Sequence, residues 1–152
     1  MVLEGPSHSA KRISSLKIAG RQATLELSCA GQTHPDLRNH NPFQHKAVLF
    51  DEAPVAMILA NKRHFQAPST AFDCRTSALN VGSYRVWLHQ QLLIVTPNTW
   101  SQELEGITPA DCGWLLANSV HAKATPQPWC DETRLCVYGV KEGLRDGRGG
   151  AA

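Results

Sequence analysis

Ala47-Val48-Leu49-Phe50 is a short, unbroken apolar run that stops abruptly at Asp51-Glu52. Such a run offers no polar face to water, so it predicts a strand buried on both sides of a parallel sheet. Leu92-Leu93-Ile94-Val95-Thr96, stopped by Pro97-Asn98, predicts a second. A sheet buried on both faces needs helices on both faces, which makes the chain α/β with a mainly parallel sheet. Its 152 residues, 42% of them apolar, suit one domain with a real core. No apolar run reaches the 18 residues that a membrane-spanning helix requires.

The rest of the chain alternates in the same way. Val2-Leu3 reads as a strand stub running into Gly5-Pro6, and residues 9–18 as a helix ended by Gly20. Thr24 to Cys29 alternates in period two and predicts a strand. Residues 30–45 hold two Pro and three His among Gly, Asn and Asp, and predict a loop with solvated His34, His40 and His45. Pro54 suits the first position of a helix through Asn61. Residues 66–83 are turn-rich, and Tyr84 to Leu88 predicts a strand. Thr108-Pro109-Ala110-Asp111 has the pattern of a capping box opening a helix to about Ala117. Residues 119–124 predict a last strand. The expected domain is 1–124, followed by a Pro/Gly-rich, largely disordered tail over 125–152.

In parallel sheets the ligand sits outside the carboxyl ends of the strands. Residues 5–12, Gly5-Pro6-Ser7-His8-Ser9-Ala10-Lys11-Arg12, keep the frame of a phosphate-binding loop, G-x4-G-K-[ST], between a strand and a helix. Gly5 and Lys11 are in register, but Ala10 replaces the second glycine and Arg12 the hydroxyl residue. A Cβ at position 10 penalises positive φ and crowds a phosphate, and a guanidinium has no lone pair for a cation. By itself this match is no better than a chance loop-to-helix junction. Asp51-Glu52 is the stronger signal. One carboxylate can bind magnesium and the next can orient and deprotonate an attacking water; the bland alternative is an exposed acidic turn. Asn98 ends the other buried strand, where its amide can bond a phosphate or water; a simple Pro-Asn turn is the alternative.

Taken together, Val48-Leu49-Phe50-Asp51-Glu52-Ala53, then residues 61–68 (Asn-Lys-Arg-His-Phe-Gln-Ala-Pro), then residues 93–100 (Leu-Ile-Val-Thr-Pro-Asn-Thr-Trp) resemble the superfamily 3 helicase domain. More narrowly they resemble the helicase half of replication-associated (Rep) proteins of circular single-stranded DNA viruses. Such domains also occur integrated in eukaryotic, notably dinoflagellate, genomes. The resemblance covers roughly residues 3–124. It implies a P-loop NTPase, AAA+-like core with a β-hairpin before the sensor strand. It also implies ATP with Mg2+, a homo-oligomeric ring, and single-stranded DNA or RNA drawn through the centre. Gly5, Lys11, Asp51, Glu52 and Asn98 match its Walker A, Walker B and sensor positions. Residues Pro6, Ser7, Ser9, Ala10 and Arg12 fall in the nucleotide loop, and Asp51 is the implied metal ligand. The hairpin, roughly residues 71–88, would carry nucleic-acid contacts, with Arg75, Tyr84 and Arg85 as candidates. Arg and Tyr on an exposed hairpin need no ligand, which is the simpler account of these three. No Arg lies between Arg85 and Arg134, so no arginine finger is placed after Asn98. The paired histidines and nucleophilic tyrosine of the Rep endonuclease half have no counterpart in these residues.

Two functional readings follow. One is a working ATPase and helicase module. The other is a pseudoenzyme or genomic relic acting as a nucleotide- or nucleic-acid-binding or assembly module. Loss of the magnesium-binding hydroxyl is expected to cost ~2–4 kcal/mol in a transition state stabilised by electrostatic positioning, which favours the second for catalysis. The net charge of +2 is too mild to mark a nucleic-acid binder by itself, although the first fifty residues carry six basic against three acidic side chains. The N-terminal residues lack the basic-then-apolar order of a secretory signal, so reduced thiols and a nuclear or cytoplasmic location are expected for the five cysteines. A metal-binding protein is the third class. Cys130 and Cys136 stand six apart, with Cys112 and His121 upstream, whereas structural zinc pairs lie two to four apart. Trp87 and Trp114 are expected in or near the core, and Trp100 as a pocket wall.

Overall fold

The structure, a computed structural model, describes residues 1–5, 11–75 and 82–123. Five strands form one parallel sheet: β1 (Val2–Glu4), β2 (Thr24–Ser28), β3 (Ala47–Asp51), β6 (Leu92–Thr96) and β7 (His121–Lys123). Their spatial order is β2-β3-β6-β1-β7. A separate antiparallel pair is made by β4 (Phe72–Arg75) and β5 (Ser83–Val86). The apolar run Ala47–Phe50 is the middle of β3, paired with β2 on one side and β6 on the other. Val48, Leu49 and Phe50 are all 0% exposed, as a two-faced burial demands.

The alternation of strand side chains sorts the helices. Leu3, Leu49, Ile94 and Ala122 point to one face, where Leu16 of α1 (Lys11–Ala19) covers them. Val2, Val48, Phe50 and Val95 point to the other. That face is covered by α2 (Val55–Ala60), α4 (Trp100–Glu105) and α5 (Pro109–Ala117) through Val55, Met57, Ile58, Trp100 and Leu115. The short α3 (Lys62–Phe65) brings Phe65 onto Phe50, ring centroids 4.9 Å apart. The β4–β5 pair joins the same core by Phe72, Cys74 and Val86.

Local chemistry explains the element ends. α1 stops at Gly20, whose φ of 83° suits glycine, and Gly20 N–H donates to Leu16 O. The expected capping box opens α5: Thr108 Oγ1 accepts from Asp111 N–H at 3.2 Å with Pro109 beside it. Asp111 also takes the Lys62 ammonium at 2.7 Å, tying α3 to α5. Pro54 stands one place earlier than expected, as the N-cap of α2. α4 was not legible from periodicity, because six residues are too few to show it. Its first turn is held by Thr99 Oγ1 donating to Glu103, whose other oxygen accepts from the Val55 N–H that opens α2.

Several expectations shift. Trp87 is 42% exposed, because β5 ends at Val86; its indole donates to Ser69 O and stacks on His89. Trp100 is 1% exposed and belongs to the core on the face away from α1, where it also lines a small apolar cavity of about 50 Å³ with Val95 and Leu115. The long loop after β2 is anchored: Leu37 is buried and its N–H donates to the Tyr84 hydroxyl. His40 is half-buried against Gln91, which pulls its pKa down by desolvation. Residues 124–152, including the expected tail, lie outside the described residues.

Phe50 is fully buried, and removing its ring opens the centre of the core beside Phe65. Phe50→Ala is expected to lower stability by about 3–5 kcal/mol, measured by urea unfolding.

Candidate functional site

β1 and β6 lie side by side, and the chain leaves them to opposite faces, to α1 after β1 and to α4 after β6. Such a switch point opens a crevice at the carboxyl ends of the two strands. The side chain that occupies it is Lys11. Its ammonium donates to Gly5 O at 2.6 Å, Pro97 O at 2.9 Å and Asn98 Oδ1 at 2.5 Å. An ammonium has three protons, and all three are used. Lys11 is 6% exposed. Burial pulls its pKa down, and the charges of Asp51, Glu52 and Glu4 only partly restore it.

Asp51 ends β3, directly opposite Thr96 of β6 and Ser28 of β2. The fully buried Thr96 donates its hydroxyl to Asp51 Oδ1 at 2.5 Å. This fixes one carboxylate oxygen at the crevice end of the sheet. Glu52 follows in the left-handed region at φ 55°, with its N–H donating to Thr96 O at 3.2 Å. A non-glycine residue there is strained, and strain of this kind concentrates at working sites. Glu52 is exposed, so its carboxylate reaches solvent at the crevice end of the sheet.

The fold thus brings Gly5, Lys11, Asp51, Glu52 and Asn98 to one end of three adjacent strands. Arg12 goes elsewhere. Its guanidinium pairs with Glu26 of β2 at 2.6 Å, with 63% of the side chain exposed. Pro6, Ser7, Ser9 and Ala10 lie outside the described residues. Of the hairpin candidates, Arg85 is exposed and lies 3.4 Å from Asp73. Arg75 ends β4 opposite Ser83. Tyr84 is half-buried against the core and spends its hydroxyl on Leu37, so its ring is a packing element of the hairpin.

Magnesium is poorly served by these residues. Among the described residues no three His, Cys, Asp or Glu side chains gather as a donor set. Asp51 has one oxygen engaged by Thr96, and the position after Lys11 carries a cation instead of a hydroxyl. Burial pushes the Cys29 and Cys74 thiols up to about 12 and about 11, which disfavours the thiolate that a nucleophile needs.

Sequence reasoning missed Glu4. It sits on the opposite face of β1, accepting from Ser101 N–H and Ser101 Oγ at 2.7 Å each and from His121 Nε2 at 3.1 Å. Burial pushes its carboxyl up, but the Ser101 donors and the charges of Lys123 and His121 outweigh this and hold it below the usual glutamate range. An acid in an otherwise buried strand immediately before Gly5 was the available signal.

No family model matches the chain, and neither the curated proteins nor the solved structures contain a match.

Two outcomes are expected. Glu52→Gly relieves the left-handed strain and raises stability by about 0.5–1 kcal/mol in urea unfolding, despite the extra backbone freedom of glycine in the unfolded chain. Glu4 has a depressed folded pKa, so its contribution is present above the unfolded glutamate value of about 4.3 and is lost as pH falls through the folded value. Below about pH 4.3 the urea midpoint of the parent chain should therefore fall more steeply than that of Glu4→Gln.

Proposed function

We propose that this chain is a nucleotide-binding domain of the P-loop, superfamily 3 helicase kind, which binds ATP and hydrolyses it poorly. The observation that carries the reading is the Lys11 ammonium, buried across the β1–β6 crevice and bonded to Asn98, with Asp51 ending the next strand. Lysine is rarely buried without a purpose that repays its desolvation. Here it stands at the first turn of α1, where helix N–H groups and the helix dipole also favour a phosphate.

In this reading ATP phosphate oxygens replace Asn98 and the two carbonyls as acceptors for Lys11. Asn98, released, turns its amide N–H to the terminal phosphate or to the attacking water. Glu52 accepts the proton as that water attacks the γ-phosphorus, and the bond to the bridging oxygen breaks to give ADP and phosphate. Ala10 and Arg12 weaken this machinery by crowding the phosphates and removing the hydroxyl. The resemblance adds single-stranded DNA or RNA as cargo, a ring of copies, and a nuclear or cytoplasmic setting. On the hairpin, the exposed Arg85 is a candidate for a nucleic-acid phosphate. No described helix is long and apolar enough to cross a membrane.

The alternative, a binding or assembly module without turnover, is favoured by one specific observation: Arg12 is engaged with Glu26 on the surface of the sheet. Turnover separates the two. The double variant Ala10→Gly, Arg12→Thr is expected to raise magnesium-dependent ATP hydrolysis by about a hundredfold over the parent. Nucleotide binding is tested by titrating a fluorescent ATP analogue, with circular dichroism to verify the fold. Lys11→Ala should weaken binding by about tenfold or more. Equal affinity in the folded variant would remove Lys11 from the site and the reading with it.

A further inference from the structure

We propose that Arg12 takes the place of the divalent cation at this site, so that the chain binds nucleotide phosphates without magnesium. The inference rests on the nucleotide-site reading and deepens it.

Three observations lead to it. First, Arg12 follows Lys11 in the opening turn of α1, so the phosphate end of the helix carries two adjacent cations. Second, the guanidinium is held over Glu26, whose register partner is Leu49, two residues before Asp51 on the same sheet face. Strand spacing and rise put the Glu26 and Asp51 backbones about 8 Å apart, so the guanidinium stands on the Asp51 face of the sheet, one exchange of partner from the acid that would hold a metal. The pull of Asp51 on the Arg12 proton agrees with that placement. Third, the hydroxyl that a metal needs is missing, and Asp51 Oδ1 is taken by Thr96.

Arg12 is free to change partners. Its pair with Glu26 is solvent-exposed, at 63% and 29% for the two side chains, and such pairs contribute little. Both recorded contacts, from Nε and from one terminal nitrogen, go to the same Glu26 oxygen. Among the described residues, the other terminal nitrogen makes no hydrogen bond to a side chain or backbone, which leaves its N–H groups for a ligand. A phosphate accepts two parallel guanidinium N–H bonds, a stronger arrangement than an exposed carboxylate pair. A divalent cation would have to enter beside that guanidinium, against its charge.

The test is a titration of the full chain with a fluorescent ATP analogue in EDTA and again in excess magnesium. The parent chain should bind with affinities within about threefold of each other in the two conditions. Arg12→Thr should weaken binding in EDTA by about tenfold and make magnesium restore it. Two results overturn the inference while leaving the nucleotide site standing: a parent that needs magnesium for a tenfold gain, or an Arg12→Thr variant that binds as well in EDTA as the parent. Absence of binding by the parent in both conditions overturns the nucleotide-site reading, and this inference with it.

Discussion

One buried ammonium holds the carboxyl ends of β1 and β6 together. Among the described residues it is the side-chain donor that Gly5 O and Pro97 O share across the crevice. Buried acceptors left without a donor would each lose a hydrogen bond worth about 1–3 kcal/mol. Lys11 resolves this at the expense of its own hydration, and three short bonds offset that loss. The arrangement also explains why the long excursion from β6 to β7 passes over β1: the switch point that makes the crevice requires it. The strand ends, the helix start and the Asn98 amide are therefore one electrostatic unit.

The two faces of the sheet divide the labour. The face under α1 carries Lys11, Asp51 and Thr96 and little bulk beyond Leu16, Leu49 and Ile94. The opposite face carries the large side chains Phe50, Trp100 and Leu115, the small cavity and the tie from Glu4 to Ser101. Glu4 and Gly5 are adjacent in sequence yet serve opposite faces. Glu4 fastens β1 to the first turn of α4, and Gly5 accepts the Lys11 bond. A strand of three residues is thereby held by side-chain bonds at its carboxyl end as well as by its two neighbours.

The parallel strands were legible because burial on both faces leaves a continuous apolar run, and β3 and β6 carry such runs with polar stops. The capping box of α5 was legible because its bonds are local in sequence. α4 was not, since its stability comes from Glu4 and Val55, which lie far away along the chain. The positions of Lys11, Asp51 and Asn98 at one place followed from strand order, and no local pattern specifies that order. Trp87 misled because an apolar residue next to an alternating strand looks inward until the strand end is known. The partner of Arg12 is set by the register of β2 against β3, which no motif encodes.

Binding and hydrolysis make different demands on this site. Binding needs positive charge and donors near where the phosphates rest, and in the proposed reading Lys11, Arg12 and the start of α1 supply them. Hydrolysis needs charge stabilised where it develops, on the γ-phosphate oxygens and the leaving oxygen, with the water held in line. A guanidinium at position 12 is a fixed, planar donor, whereas a hydrated cation rearranges as charge shifts between oxygens. A site that exchanges the second for the first retains its grip on the ground state and loses part of its preference for the transition state. Since only the difference between the two accelerates a reaction, the proposed reading is of a chain that holds nucleotide far better than it turns it over.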